Sequence, residues 1–139
     1  MARSKQVARI QRRLEAIPAE VRKAVEPSLT KSANELAGMM RQLAPEDEGD
    51  LKASIVATPP GEQTPAYSQP GGERVAGELE AIVTVGNSDV RYPHLQEYGT
   101  SEHDAQPFFW PSVRLLKKRI NNRTKRAIAK AVRDHWGRG

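Results

Sequence analysis

Residues 92–111, with the sequence YPHLQEYGTSEHDAQPFFWP, join an acidic, strand-like middle of the chain to a basic C-terminal helix. They contain most of the chain's aromatic residues and two of its three histidines. Gly99 is the position where a bend with positive φ costs least. Pro107 and Pro111 restrain the aromatic triplet 108–110, because a residue before proline is held extended and proline fits the first turn of a helix. We therefore expect this stretch to turn the chain between two structural layers and to present the triplet in a fixed position.

The segment that follows, residues 111–136, has the pattern of an amphipathic helix. Its buried side is predicted from apolar residues at helical spacing, namely Val113, Leu116, Ile120, Ala127 and Ala131. The rest of its surface is basic and is formed by Arg114, Lys117, Lys118, Arg119, Arg123, Lys125 and Arg126. Charged helix faces are usually only solvated. The sequence is compatible with such a solvated face and with one that contacts DNA phosphates.

The N-terminal region, residues 1–44, is also predicted to be helical. A first helix over residues 4–16 is interrupted at Ile17 and Pro18, because a residue before proline leaves helical geometry. A second, longer helix then runs to Ala44. Pro27 lies inside it and removes a backbone donor, so one continuous helix and two pieces are both compatible with the sequence.

Residues 45–92 are predicted to form a small antiparallel sheet. An acidic turn over residues 45–50 leads into a strand at 51–58, where alternate apolar residues indicate one buried face. A second strand is predicted at 78–86, and residues 86–89 turn the chain. Residues 59–77 between the strands contain four prolines and four glycines, a composition that predicts a long flexible loop that packs no core.

The predicted fold class is therefore α+β: N-terminal helices, a small sheet with a long hairpin loop, and a basic C-terminal helix packed on the sheet. The length of 139 residues suggests one domain over 1–139, in which residues 93–110 form the aromatic turn segment. Cysteine is absent, and no stretch is apolar enough to predict a signal peptide or a membrane span, so we expect a soluble protein that is made and used in the cytoplasm.

The net charge of +5 conceals a strong segregation of charge along the chain. Residues 1–31 carry eight basic and three acidic residues, residues 32–110 carry four and thirteen, and residues 111–139 carry ten and one. Opposite charges on separate segments can pair within one molecule or between neighbouring copies. Both kinds of pairing reduce the positive charge left for nucleic acid.

Two motifs resemble the neck and tail-completion proteins of long-tailed bacteriophages, which also occur in gene-transfer particles. The first is the Tyr-x-x-x-x-Glu-Tyr-Gly-Thr segment at residues 92–100, followed by Ala-Gln-Pro-Phe-x-x-Pro at 105–111. The second is Ala-Pro-x-Asp-x-Gly-x-Leu-x-x-Ser-Ile at residues 44–55. Glu48 departs from that pattern, in which threonine is usual before the glycine.

The resemblance implies a structural virion protein that forms a homo-oligomeric ring, six-fold in order, at the head-tail junction. Its partners would be the adjoining connector or stopper and tail-tube proteins, and double-stranded DNA would pass through the ring. Tyr98, Gly99 and Thr100 would shape a loop that meets a neighbour. Burial is expected for two rings of the aromatic triplet, which leaves Phe109 or Trp110 to anchor an interface.

Catalytic chemistry is not indicated by the sequence. His94 and His103 lack metal-ligand spacing, the acidic turn lacks the spacing of a calcium loop, and Ser101 has no nucleophile-elbow context. We therefore predict no enzyme activity, no metal and no cofactor. The alternative function that remains open is a basic nucleic-acid-binding module.

Overall fold

The computed structural model describes Lys5, Ala8, Arg9 and Arg12 and residues 18–45, 49–90 and 107–137. In chain order its elements are α1 (Ala19–Leu43), α2 (Gly49–Ala53), β1 (Val56–Thr58), β2 (Ile82–Thr84) and α3 (Phe109–Trp136). Helices together with a small antiparallel sheet confirm the predicted α+β class. The four described residues before residue 18 are all helical and exposed, in agreement with the helix predicted there.

Helix α1 begins directly after Pro18, which stands at its N-cap with φ −54° and ψ 142°. It continues through Pro27 as one helix, which decides between the two possibilities that the sequence left open. Near this proline the hydroxyl of Ser28 donates a hydrogen bond of 2.8 Å to the carbonyl of Val25. The helix ends at Leu43, and Ala44 is extended because Pro45 follows it.

Helices α1 and α3 lie antiparallel against each other. At one end, Ala131 of α3 packs with Val21 and Val25 near the start of α1. At the other end, Phe108 at the start of α3 packs with Met40 near the end of α1. The basic helix is therefore held along its length by the N-terminal helix, and only its first turns reach the main core beside the sheet.

The main core lies where both helices meet the sheet. Its buried members are Ala37, Met40, Ala44, Leu51, Ile55, Val85, Val90 and Phe108. Ala57 and Val83, which face each other across the two strands, pack against this core from one face of the sheet. Burial of these side chains in one cluster supplies the main driving force for the fold.

The strand predicted over residues 51–58 was wrong in its first half. Residues Gly49–Ala53 form the short helix α2, and only Val56–Thr58 are a strand. The buried residues are Leu51, Ser54 and Ile55, a spacing of three and four that one turn of helix buries on one side. The apolar alternation that suggested a strand ignored Ser54, whose hydroxyl is buried and hydrogen bonded.

The second strand is shorter than predicted and is covered on both faces. β2 pairs with β1 in antiparallel register, with Ala57 opposite Val83, but it spans only Ile82–Thr84. Ile82 and Thr84 are buried on one face, and Val83 on the other face packs against the main core. Leu79 lies in a turn before the strand and packs on the smaller core of Val21, Val25 and Ala131.

The connection over residues 59–77 contributes to packing, so the prediction of a loop without a core was wrong. Its buried residues are Thr64, Ser68 and Ala76. An isolated antiparallel bridge joins Gln69 to Val85 beside β2, with both backbone hydrogen bonds at 2.9 Å. Prolines and glycines here serve tight turns that fold the connection back onto the sheet.

Candidate functional site

The aromatic triplet begins α3 and splits between core and surface. Phe108 is the N-cap residue and is buried, and the hydroxyl of Ser112 donates a hydrogen bond of 2.6 Å to its carbonyl. Phe109 is partly buried against the main core. Trp110 keeps 44% of its surface exposed, and its ring lies edge-on to that of Phe109 with 4.9 Å between centroids. An interface role for Phe109 and Trp110 stays a prediction.

Three other residues assigned to an interface, Tyr98, Gly99 and Thr100, lie outside the described residues. The same holds for His94 and His103. The roles predicted for these residues therefore remain predictions.

One of the seven basic residues predicted for DNA or subunit contacts is already engaged within the molecule. The guanidinium of Arg123 bonds the Ser32 hydroxyl at 3.0 Å and the Glu35 carboxylate at 3.3 Å, both on α1. Arg119 also approaches Glu35, at 3.6 Å, but its side chain is 66% exposed. Arg123 thus fastens α3 to α1, and Arg119 is partly compensated.

The other five basic residues project into solvent and make no ion pair with another described residue: Arg114, Lys117, Lys118, Lys125 and Arg126. Within this group, Arg114, Lys118 and Lys125 fall on one line of the helix, because steps of four and seven return to the same face. We call these three residues the cationic line. It lies away from the side of α3 on which Leu116 is buried.

The same exposed face becomes apolar in the last third of α3. Ile128, Val132 and Trp136 follow one another at steps of four residues, with exposed fractions of 45%, 36% and 60%. We call them the apolar stripe. The stripe was not predicted from the sequence, although its spacing of four residues is visible there, because one apolar face was assigned to this helix.

Within the described part of the chain, no group of three or more histidines and carboxylates is placed to hold a metal ion. Among the helices described, none is long and apolar enough to cross a membrane. Among the described residues, the exposed side of α3 combines uncompensated cations with exposed apolar side chains.

The described residues thus form two antiparallel helices beside a two-stranded antiparallel sheet, with a cationic face of α3 turned outward. The family model described as "Bacteriophage HK97-gp10, putative tail-component" matches residues 8–99, about two thirds of the chain. The chain therefore belongs to the HK97-gp10-like family and is a structural component of the phage tail or neck, a part of the virion. No curated protein and no solved structure is similar enough to count as a match.

Proposed function

We propose that the protein forms a homo-oligomeric ring of six-fold order at the head-tail junction, where it completes the neck or the top of the tail. The family membership supports a place in the tail structure, and the resemblance of residues 92–111 to neck proteins supports the junction. Adjoining connector or stopper and tail-tube proteins are its partners above and below. Double-stranded DNA passes through the ring.

The observation that carries the DNA contact is the cationic line of α3. Arg114, Lys118 and Lys125 share one exposed face and have no carboxylate partner among the described residues. Lys117 and Arg126 add positive charge on either side of this line. Cations of this kind meet phosphates without reading sequence, as a conduit for a whole genome requires. The rigid helix beneath them keeps the charges in register with the backbone of a passing duplex.

A complementation experiment tests this function. A phage lacking the protein is supplied with the wild-type chain or with the Arg114→Glu, Lys118→Glu, Lys125→Glu triple variant. These side chains are exposed, so the variant is expected to fold, but reversal of three charges should reduce infective particles by orders of magnitude. The matched control reverses exposed lysines on α1, Lys23→Glu and Lys31→Glu, and should leave the yield unchanged. Normal yield from the α3 variant would contradict the proposed DNA contact.

A basic nucleic-acid-binding module is the second candidate, and the same exposed cations favour it. A free binding module is found on DNA and is absent from particles. A neck component is found in particles at a fixed stoichiometry.

A further inference from the structure

The apolar stripe of α3 is a second surface on the exposed face that carries the cationic line. Ala131 of the same helical segment is buried against α1, whereas all three residues of the stripe stay exposed, so α1 does not cover the stripe. His135 lies 3.1 Å from Glu20 of α1, and the neighbouring Trp136 is 60% exposed. An apolar side chain as large as this tryptophan at the end of a charged helix suits a contact with another protein.

A surface of complementary character lies on the connection between the strands. Residues 61–64 and 74–76 form a short ribbon through backbone bonds of 2.8–3.0 Å. Val75 stands opposite Gln63 in this ribbon and is 62% exposed. The Gln63 amide bonds the carboxylate of Glu73, so all three side chains lie on one face. We call Gln63, Glu73 and Val75 the loop patch.

The charge of the loop patch is negative. Arg74, the basic residue of this ribbon, is held by Glu80 through bonds of 2.9 and 3.0 Å and so does not compensate its neighbours. Glu73 is exposed and forms no salt bridge with another described residue. The patch thus combines an exposed aliphatic side chain with one carboxylate, that of Glu73, that no cation among the described residues neutralises.

The apolar stripe has the opposite charge around it. Lys125 precedes Ile128 by three residues, and Arg133 precedes Trp136 by three, so both cations border the stripe. Helix α3 holds nine lysines and arginines and one aspartate, which makes an isologous contact between two copies of α3 repulsive. A phosphate backbone matches the charge but offers no apolar surface to cover the stripe.

We propose that the apolar stripe of one copy docks on the loop patch of the next copy. Val75 meets the apolar residues of the stripe, and the bordering cations Lys125 and Arg133 meet the carboxylate of Glu73. Because the two surfaces are different parts of the same chain, the contact is heterologous, and repetition of it closes a ring when the rotation allows. The proposal rests on the ring function above and names the surfaces that join its subunits.

Cross-linking tests this pairing directly, because the chain contains no cysteine. Val75→Cys and Val132→Cys are prepared as separate full-length proteins and oxidised alone and mixed. The mixture should give a covalent dimer, and each variant alone should stay monomeric on a denaturing gel without reductant. A chain with both substitutions should give a ladder of linked copies. The matched control pairs Val132→Cys with Lys31→Cys, an exposed position on α1, and should give no dimer.

A charge exchange tests the same pairing of surfaces independently, because it does not rely on disulfide geometry. Glu73→Arg and Arg133→Glu should each weaken self-association, by up to about fivefold for a contact at the rim of an interface. The double variant should restore association, because the pair is re-formed with its charges exchanged. Analytical ultracentrifugation measures the self-association constants of the two single variants and the double variant, each as the full chain.

Three results would overturn the proposal. One is a wild-type chain that stays monomeric at high micromolar concentration and gives no link between positions 75 and 132. The second is a chain that forms oligomers in which no disulfide links positions 75 and 132. The third is efficient dimerisation of Val132→Cys alone, which would show an isologous contact between copies of α3. Presence of the protein in particles tests the ring function separately, so failure of the contact and failure of the function are distinguishable.

Discussion

Arg123 of α3 and Glu35 of α1 form an ion pair of 3.3 Å in which the arginine side chain is only 14% exposed. The same guanidinium bonds Ser32, which is itself buried. A cation in this position joins two helices that are far apart in sequence, whereas its basic neighbours on α3 face solvent.

Replacement of this arginine should therefore separate a structural from a surface role. Arg123→Ala leaves Ser32 and Glu35 without their partner, and we expect a loss of about 1.5–3 kcal/mol in the free energy of unfolding. Lys118→Ala, on the exposed face of the same helix, should change it by less than about 0.5 kcal/mol. Urea denaturation followed by circular dichroism measures both, and equal effects would contradict the assignment.

Ser54 links α2 to the residues after β2. Its hydroxyl donates to the Leu51 carbonyl at 2.7 Å and accepts the N–H of Gly86 at 3.0 Å, and all of these groups are buried. Ser54→Ala leaves a buried N–H without a partner, and the expected loss is about 1–3 kcal/mol.

The control for that substitution is Ser28→Ala. Its hydroxyl bonds only a carbonyl of its own helix, that of Val25, so the loss should stay below about 0.5 kcal/mol. Chemical denaturation of both variants distinguishes a bond that joins two elements from one within a helix. A Ser54 variant as stable as wild type would show that Gly86 finds another acceptor.

The turn before β2 should confer a small stabilisation that depends on pH. Hydrogen bonds from Arg74, and one from the Gly77 backbone, hold the pKa of Glu80 below its usual value. A carboxyl with a lowered pKa in the folded state stabilises above the usual glutamate range, and this contribution is lost as the pH falls through the folded pKa.

Glu80→Gln should therefore lower the free energy of unfolding at neutral pH and have less effect in acid. Both partners are more than a third exposed, so solvent screening limits the loss to at most about 1 kcal/mol. Denaturation of wild type and variant across a pH series measures the difference. A difference that does not shrink in acid would rule out the carboxylate as its cause.

The cationic line predicts the salt dependence of DNA binding. Each phosphate contact removed lowers the slope of log K against log salt by roughly 0.9 for duplex DNA. Lys118→Ala and Lys125→Ala should each reduce the slope by about that amount, independently of sequence. Lys31→Ala on α1 is the control and should leave it unchanged, and fluorescence anisotropy at several salt concentrations gives the slopes. Equal slopes for all three variants would show that DNA does not contact the cationic line.

The two long helices were predictable because their apolar residues recur over many turns. The role of Arg123 was predictable in principle as well. It lies three residues after Ile120 and four before Ala127, on the buried side of α3, but its charge led to its assignment to the surface. A cation on an apolar face indicates a carboxylate on the facing helix, and Glu35 meets that requirement.

The short elements were harder to predict from the sequence, for a physical reason. Between Gly49 and Thr58 the chain changes from helix to strand within a few residues, and too few side chains define either period. The burial of Ile82 and Thr84 depends on a connection that packs back on the sheet through Gln69. Contacts between such distant residues leave no local signal.

The most direct measurement of the central claim is the copy number of the protein in purified particles, determined by quantitative mass spectrometry against the major capsid protein. A single closed ring predicts about six copies per particle, or about twelve for a double ring, and the same number from every preparation. Absence from the particles, or a number that follows the DNA content instead, would contradict a ring at the head-tail junction.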